Sequence, residues 1–335
     1  MTATYHSPAS LDLDPAAAVE QIAQAMRLRL SLDFRRKGYV VGLSGGIDSS
    51  VSAALAVRAI GAERVFGICM PERESDPASL RLGKLVAETL GIECEVEDIA
   101  PILLGAGCYE RRNAAIRSVV PEFGDDWGCK LVLPTNKANG DLLSMTYLVV
   151  QPPNGEQRRV RLPAPAYRQI VAASNFKQRV RKMIEYYHAD RLHYAVIGTP
   201  NRLEYDQGFF VKGGDGLADI KPIAHLYKTQ VYQLADHLGI PAEITSRPPT
   251  TDTFSLPQSQ EEFFFSLPAR QLDAVLFGVN TGMAAEDIAG ETGLDVDQVQ
   301  HAMRDIHQKR KTTRYLHMPP QLVSDATTPS AEVFG

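Results

Sequence analysis

The chain has 335 residues, 44% of them hydrophobic and 22% charged, proportions that exclude wholesale disorder and fibrous repeats. Lys and Arg number 35 against 40 Asp and Glu, a net charge of −5, which argues against a nucleic-acid partner bound through a broadly basic surface. No apolar stretch approaches the roughly 20 residues that span a bilayer, and the N-terminus lacks a basic-then-apolar leader; the four cysteines (Cys69, Cys94, Cys108, Cys129) form no C-x-x-C pair, so reduced, mostly buried thiols in a cytoplasmic protein without membrane contact are expected.

Asp14 is placed to cap a helix that carries Val19, Ile22, Ala23, Met26 and Leu30 on one face. Tyr39 to Leu43 is a short apolar run without alternation, as in a parallel strand covered on both faces. A helix from about Ser49 to Ile60, a strand from Val65 to Met70, a helix from Ala78 to Leu90 and a strand from Glu93 to Ile99 follow, with Gly61 and Gly91 closing the helices. This alternation predicts an α/β fold with a doubly wound parallel sheet flanked by helices. The order breaks between about 105 and 173, where Asn154-Gly155 separates Thr146–Val150 from Arg158–Leu162 and predicts an inserted β-hairpin. A helix from Asn175 to about His188, a strand from Tyr194 to Gly198, a Gly-rich loop over Gly208–Gly216 and a helix from Lys228 to Leu238 come next. Ser259 to Tyr315 reads as a helical region with polar breaks. The organisation is one domain over residues 1–318 and a loose tail over 319–335.

The chemistry concentrates in Gly42-Leu43-Ser44-Gly45-Gly46-Ile47-Asp48-Ser49-Ser50, between a buried strand and a helix start. Glycines let backbone approach an anion, the helix N-terminus aims unpaired N–H groups at it, and serine hydroxyls add donors. No Lys precedes the final serines, so this is not a Walker A loop. Asp48 would repel a bound polyphosphate unless a divalent cation lay between them, which predicts Mg²⁺.

Ser44-Gly45-Gly46-Ile47-Asp48-Ser49 resembles the pyrophosphate loop of the N-type ATP pyrophosphatases. Gly198-Thr199, Glu204, Gly208-Phe209-Phe210, Lys212, Gly214-Asp215-Gly216, Asp219, Pro222 and Lys228 resemble, in order and spacing, the signature of the NAD synthetases. Asn175 to Arg181, Pro249-Thr250, Asp252 and Lys309-Arg310 extend the match. The resemblance implies an adenine nucleotide α-hydrolase-like fold, ATP as co-substrate, and an ammonia-dependent ligase, because no glutaminase domain accompanies it. In that family the nicotinate carboxylate of deamido-NAD attacks the α-phosphate of ATP, and ammonia then displaces AMP.

By the same resemblance Asp48 and Glu204 would hold Mg²⁺, and with Lys228 would form the catalytic set. Gly42, Ser44, Gly45, Gly46, Ser49, Ser50, Met70, Thr199, Lys228 and Thr250 would contact ATP, and Asn175, Arg179, Lys212, Asp219 and Lys309 the deamido-NAD. Glu72 to Asp76 looks like the family's mobile loop near adenosine, and a homodimer is implied, with Lys309 serving a neighbouring subunit's site. The chain departs from the family at the insertion and at Val211, Ala269 and Gln308, mostly on the dinucleotide side. An alternative is therefore a related enzyme that amidates a different carboxylic acid.

Overall fold

The computed structural model describes residues 11–133, 146–249, 253–265 and 267–323. Helix α1 (Pro15–Leu28) is capped by Asp14, whose carboxylate accepts the Ala17 N–H at 3.1 Å. Strand β1 (Tyr39–Gly42), helix α2 (Ile47–Ile60), strand β2 (Val65–Cys69), helix α3 (Pro77–Leu90) and strand β3 (Glu93–Val96) then alternate as the apolar runs predict. Short helices α4 (Ala100–Gly105) and α5 (Cys108–Arg117) precede β4 (Gly128–Val132), β5 (Tyr147–Gln151) and β6 (Arg158–Arg161). Helix α6 (Ala164–Leu192) leads to β7 (Ala195–Val196), α7 (Arg202–Gln207), α8 (Lys228–His237) and α9 (Ala242–Thr245). The C-terminal region holds α10 (Gln260–Phe263), α11 (Ala269–Thr281), α12 (Ala285–Thr292) and α13 (Val296–His317).

The four parallel strands run in the order β3-β2-β1-β7. Tyr39 and Val41 face a core built with α1, α2, α3 and α8, whereas Val40 faces one built with α4, α5 and α6. Burial on both faces explains why β1 shows no polar alternation. The chain leaves β1 toward β2 on one side and returns to pair with it through β7 on the other. That reversal opens a crevice beyond the carboxyl ends of the central strands.

Several elements differ from expectation. The inserted hairpin is the outer part of a three-stranded antiparallel sheet, β4-β5-β6, since Gly128–Val132 also pairs. Its inner face (Cys129, Leu131, Leu148, Val150) packs on α5, on the start of α6 and on Phe254. Helix α6 starts at Ala164, ahead of the expected Asn175, because Ala166, Ile170 and Ala173 are buried. The strand expected over Tyr194–Gly198 shrinks to β7 and one further bridge, Ile197 to Ile220. No helix among the described residues is long and apolar enough to cross a membrane.

The Glu72–Asp76 stretch, likened above to the family's mobile loop near adenosine, is bonded here through buried charge. Lys177, 1% exposed, donates to Glu72 at 2.7 Å, Glu74 at 2.8 Å and the Thr253 carbonyl at 2.7 Å. Arg112 Nη1 adds a 2.5 Å bond to Glu74, and the Tyr109 hydroxyl donates to Glu72 at 2.7 Å. Burial pushes the Glu74 carboxyl up, but the hydrogen bond from Arg112 and the charges of Lys177 and Arg112 outweigh it and hold it at about 2. Substituting Lys177→Met strands two carboxylates without their shared ammonium and should cost about 3–5 kcal/mol of stability. Urea denaturation at neutral pH measures this, and a loss below about 1 kcal/mol would show that the network is dispensable to the fold.

Candidate active site

A cavity of about 890 Å³ lies at the carboxyl ends of β1 and β2 and is walled by α6, the Gly208–Gly213 loop and Arg247–Pro249. Gly42, Ser44, Gly46, Asp48 and Ser49 form its floor. Helix α2 begins after Gly46, which brings no side chain to cap it, so the first-turn amides are left for an anion. The loop is held by its own hydroxyls: Ser49 and Ser50 donate to the Gly46 carbonyl at 3.0 and 2.8 Å. Gly45 has φ +73°, and a Cβ there would meet the Ser79 carbonyl oxygen at 2.5 Å, so only glycine fits. Gly45 and Ser50 thus shape the loop from outside the cavity.

The carboxylates and the lysine foreseen from sequence do converge. Lys228, the first residue of α8, places Nζ on Asp48 Oδ2 in a short ion pair. Asp273 on α11 aims that lysine by accepting the Lys228 and Thr229 backbone N–H groups at 3.2 and 2.7 Å. Asn201 donates to Asp48 Oδ1 at 3.2 Å and forms a capping box with Glu204 at the start of α7. Gln260 donates to Glu204 Oε1 at 2.9 Å. Burial first, and then the charge of Asp48, push the Glu204 carboxyl up to about 8, against the pull of Lys228. Burial depresses Lys228, but the charges of Asp48 and Glu204 carry it above its ordinary value. Near neutral pH the upward shift of Glu204 leaves it largely protonated beside the Asp48–Lys228 pair, and a hard divalent cation between the two carboxyl groups would displace its proton and take oxygen ligands from both.

Other foreseen residues divide. Met70, Thr199, Asn175, Arg179 and Lys212 line the cavity, and Arg179 Nε donates to the Lys212 carbonyl at 3.3 Å. The Lys212 ammonium, however, is engaged by the Tyr315 and Met318 carbonyls at 2.9 and 2.8 Å, where it satisfies the end of α13. Asp219 does not line the cavity; it accepts the Val196 N–H at 2.7 Å and the Tyr186 hydroxyl at 3.3 Å, fixing β7 against α6. Lys309 is also outside the cavity, bonded within its own chain to Asp305 and the Phe264 carbonyl, each at 2.7 Å. Thr250 lies outside the described residues. Of the three departures, Val211 lines the cavity, whereas Ala269 and Gln308 do not.

Sequence reasoning missed Asn201, Gln260, Asp273, Lys182, Glu185 and Arg247. The first carried a readable signal, since Asn201-Arg202-Leu203-Glu204 has the spacing of a capping box. Asp273 had only its polarity on an otherwise apolar helix face, and the remaining four had none.

The sequence model of the NAD synthase family matches residues 19–115 and 157–320; the span between, 116–156, holds β4 and β5. The NH(3)-dependent NAD(+) synthetase of Rhizobium meliloti is 59% identical over 94% of this chain and 93% of its own length. That of Mesorhizobium japonicum is 57% identical over 93% of this chain and 98% of its own. Among solved structures, NMN synthetase from Francisella tularensis superposes with a TM-score of 0.63 at 23% identity, covering 93% of this chain and 99% of that one. The NH3-dependent NAD synthetase from Campylobacter jejuni gives 0.59 at 21%, covering 93% and 100%. Both share the α/β fold described above. On the extent of the family match and the identity of these relatives, the chain belongs to the NAD synthase family.

Proposed function

We propose that this protein is an ammonia-dependent NAD synthetase. It would transfer AMP from ATP to the nicotinate carboxylate of deamido-NAD, with loss of pyrophosphate, and let ammonia displace AMP to yield NAD. The observation that carries the reading is the convergence of Asp48, Glu204 and Lys228 beside the uncapped start of α2, in a cavity of dinucleotide size. A cytoplasmic setting, which supplies ATP, suits it.

The reaction needs no protein nucleophile, only two reactants held in line and charge balanced on the departing group. The α2 amides and the Ser44 and Ser49 hydroxyls receive phosphate oxygens, while Gly42 and Gly46 keep the backbone close. Asp48 and Glu204 would hold Mg²⁺, which would supply positive charge opposite the pyrophosphate. Lys228 supplies a fixed positive charge at the same place. Met70 and Thr199 would line the nucleotide, and Asn175 and Arg179, projecting from α6, the dinucleotide, Arg179 by charge-assisted bonds to its phosphates.

A homodimer accompanies this reading. Met183 and Tyr187 are exposed one turn apart on α6, an apolar stripe that suits a second copy.

Asp48→Asn and Glu204→Gln should each lower pyrophosphate release by about 100-fold or more, with circular dichroism unchanged; near-normal turnover of both at saturating Mg²⁺ would remove the two-carboxylate assignment. Arg179→Ala should raise the apparent KM for deamido-NAD by about 1.5–3 kcal/mol equivalent and leave that for ATP alone. An equal rise in both would place Arg179 elsewhere. Light scattering at micromolar concentration should give twice the chain mass of 36.8 kDa, and a monomer would remove the dimer.

A further inference from the structure

We infer that the buried Lys182–Glu185 pair on α6 is the seat of a zwitterionic ring, Lys182 facing the substrate carboxylate and Glu185 facing a ring nitrogen that bears positive charge. The inference rests on the reaction proposed above and names the two residues that would choose its acyl substrate.

Lys182 Nζ donates to Glu185 Oε2 at 2.6 Å, and the two side chains are only 5% and 9% exposed. Both line the cavity. Their place is the start of the phosphate loop, because a Cβ on Gly42 would lie 2.9 Å from Glu185 Oε1. The absence of a side chain at Gly42 leaves that oxygen open. Among the described residues no group donates to Glu185 Oε1, and the Lys182 ammonium, with three donors, has one acceptor. The other cations of the cavity wall have partners or roles of their own: Lys228 pairs with Asp48 at the phosphate end, Lys212 with two carbonyls, Arg247 with Asp76 and Ser79, Arg181 with the Met70 carbonyl, and Arg179, bonded through Nε to the Lys212 carbonyl, is assigned above to the dinucleotide phosphates.

Burying an ion pair where an apolar pair would pack equally well gains little stability. A pair left with one open acceptor and two open donors at a cavity wall is instead matched to a ligand that brings both charges. The nicotinate end of deamido-NAD is such a ligand, with a cationic pyridinium nitrogen and an anionic carboxylate on one ring. A carboxylic acid without the ring charge would meet Lys182 but be repelled by Glu185, so the pair would reject it.

The test compares deamido-NAD with its 1,4-dihydro form, which keeps the carboxylate and loses the ring charge, as substrates of the full-length enzyme. The wild type should favour the oxidised form by about tenfold or more in kcat/KM, and Glu185→Gln should shrink that preference to about twofold. Lys182→Met should raise KM for both forms about tenfold and leave KM for ATP within about twofold. The double variant Lys182→Met/Glu185→Gln strands no charge; it should stay weak for both forms and show no preference. A preference unchanged by Glu185→Gln, or a double variant with wild-type KM values, would reduce the pair to a structural contact and overturn the inference while leaving the reaction standing. If the wild type forms no amide product from either form, the reaction itself falls, and the pair's role with it.

Discussion

The site is organised by one ion pair. Lys228 and Asp48 stand at the first turns of two different helices, α8 and α2, so their bond brings together segments 180 residues apart in the chain. Neither charge would survive burial alone, and each is further fixed by a second partner: Asn201 on Asp48, and the Asp273 carboxyl behind the amide of Lys228. The arrangement still leaves Glu204 short of a cation. Burying a carboxylic acid beside a second carboxylate gains the fold nothing; on the reaction proposed above, it marks where a cation would enter with the nucleotide.

Two other buried charge groups frame this centre. Lys177 with Glu72, Glu74 and Arg112 is closed upon itself, its ammonium taking three acceptors, and it clamps the stretch after β2 to α5 and α6. Lys182 with Glu185, one to just over two turns along the same helix, is left open toward the cavity. The contrast between a saturated and an unsaturated network on one helix separates scaffold from recognition more sharply than burial does, since all four side chains of the first group and both of the second are nearly inaccessible.

The parallel sheet was legible because apolar runs of four or five residues bounded by capped helices leave few alternatives, and the loop from Gly42 to Ser50 declared itself by glycines at a strand-to-helix turn. Asp48 was legible in that same loop, whereas Glu204 and Lys228 were reachable only through family resemblance, for nothing in the local sequence brings the three together. The strand Gly128–Val132 escaped notice because its partner lies beyond a long connection rather than a tight turn, unlike the Asn154-Gly155 hairpin. Asp219 and Lys309 show the converse limit: their charged types suited a polar ligand, yet in this chain Asp219 holds the end of β7 and Lys309 is bonded within its own helical region. Asp273 and Gln260 act on the site through groups that are themselves on other elements, a relation that spacing along the chain does not encode.

Helix α6 is 29 residues long, roughly 43 Å at the usual rise. Its first two turns are packed into the inserted sheet through Ala166 and Ile170, while Val180 and Ile184 further along pack on the parallel sheet. Phe254 belongs to the insertion's core and also lines the cavity. The inserted sheet is therefore not a detachable module. Chain surgery that trimmed it would unroof the helix that presents Asn175 and Arg179, and grafting it onto a shorter relative would require moving the front half of that helix as well.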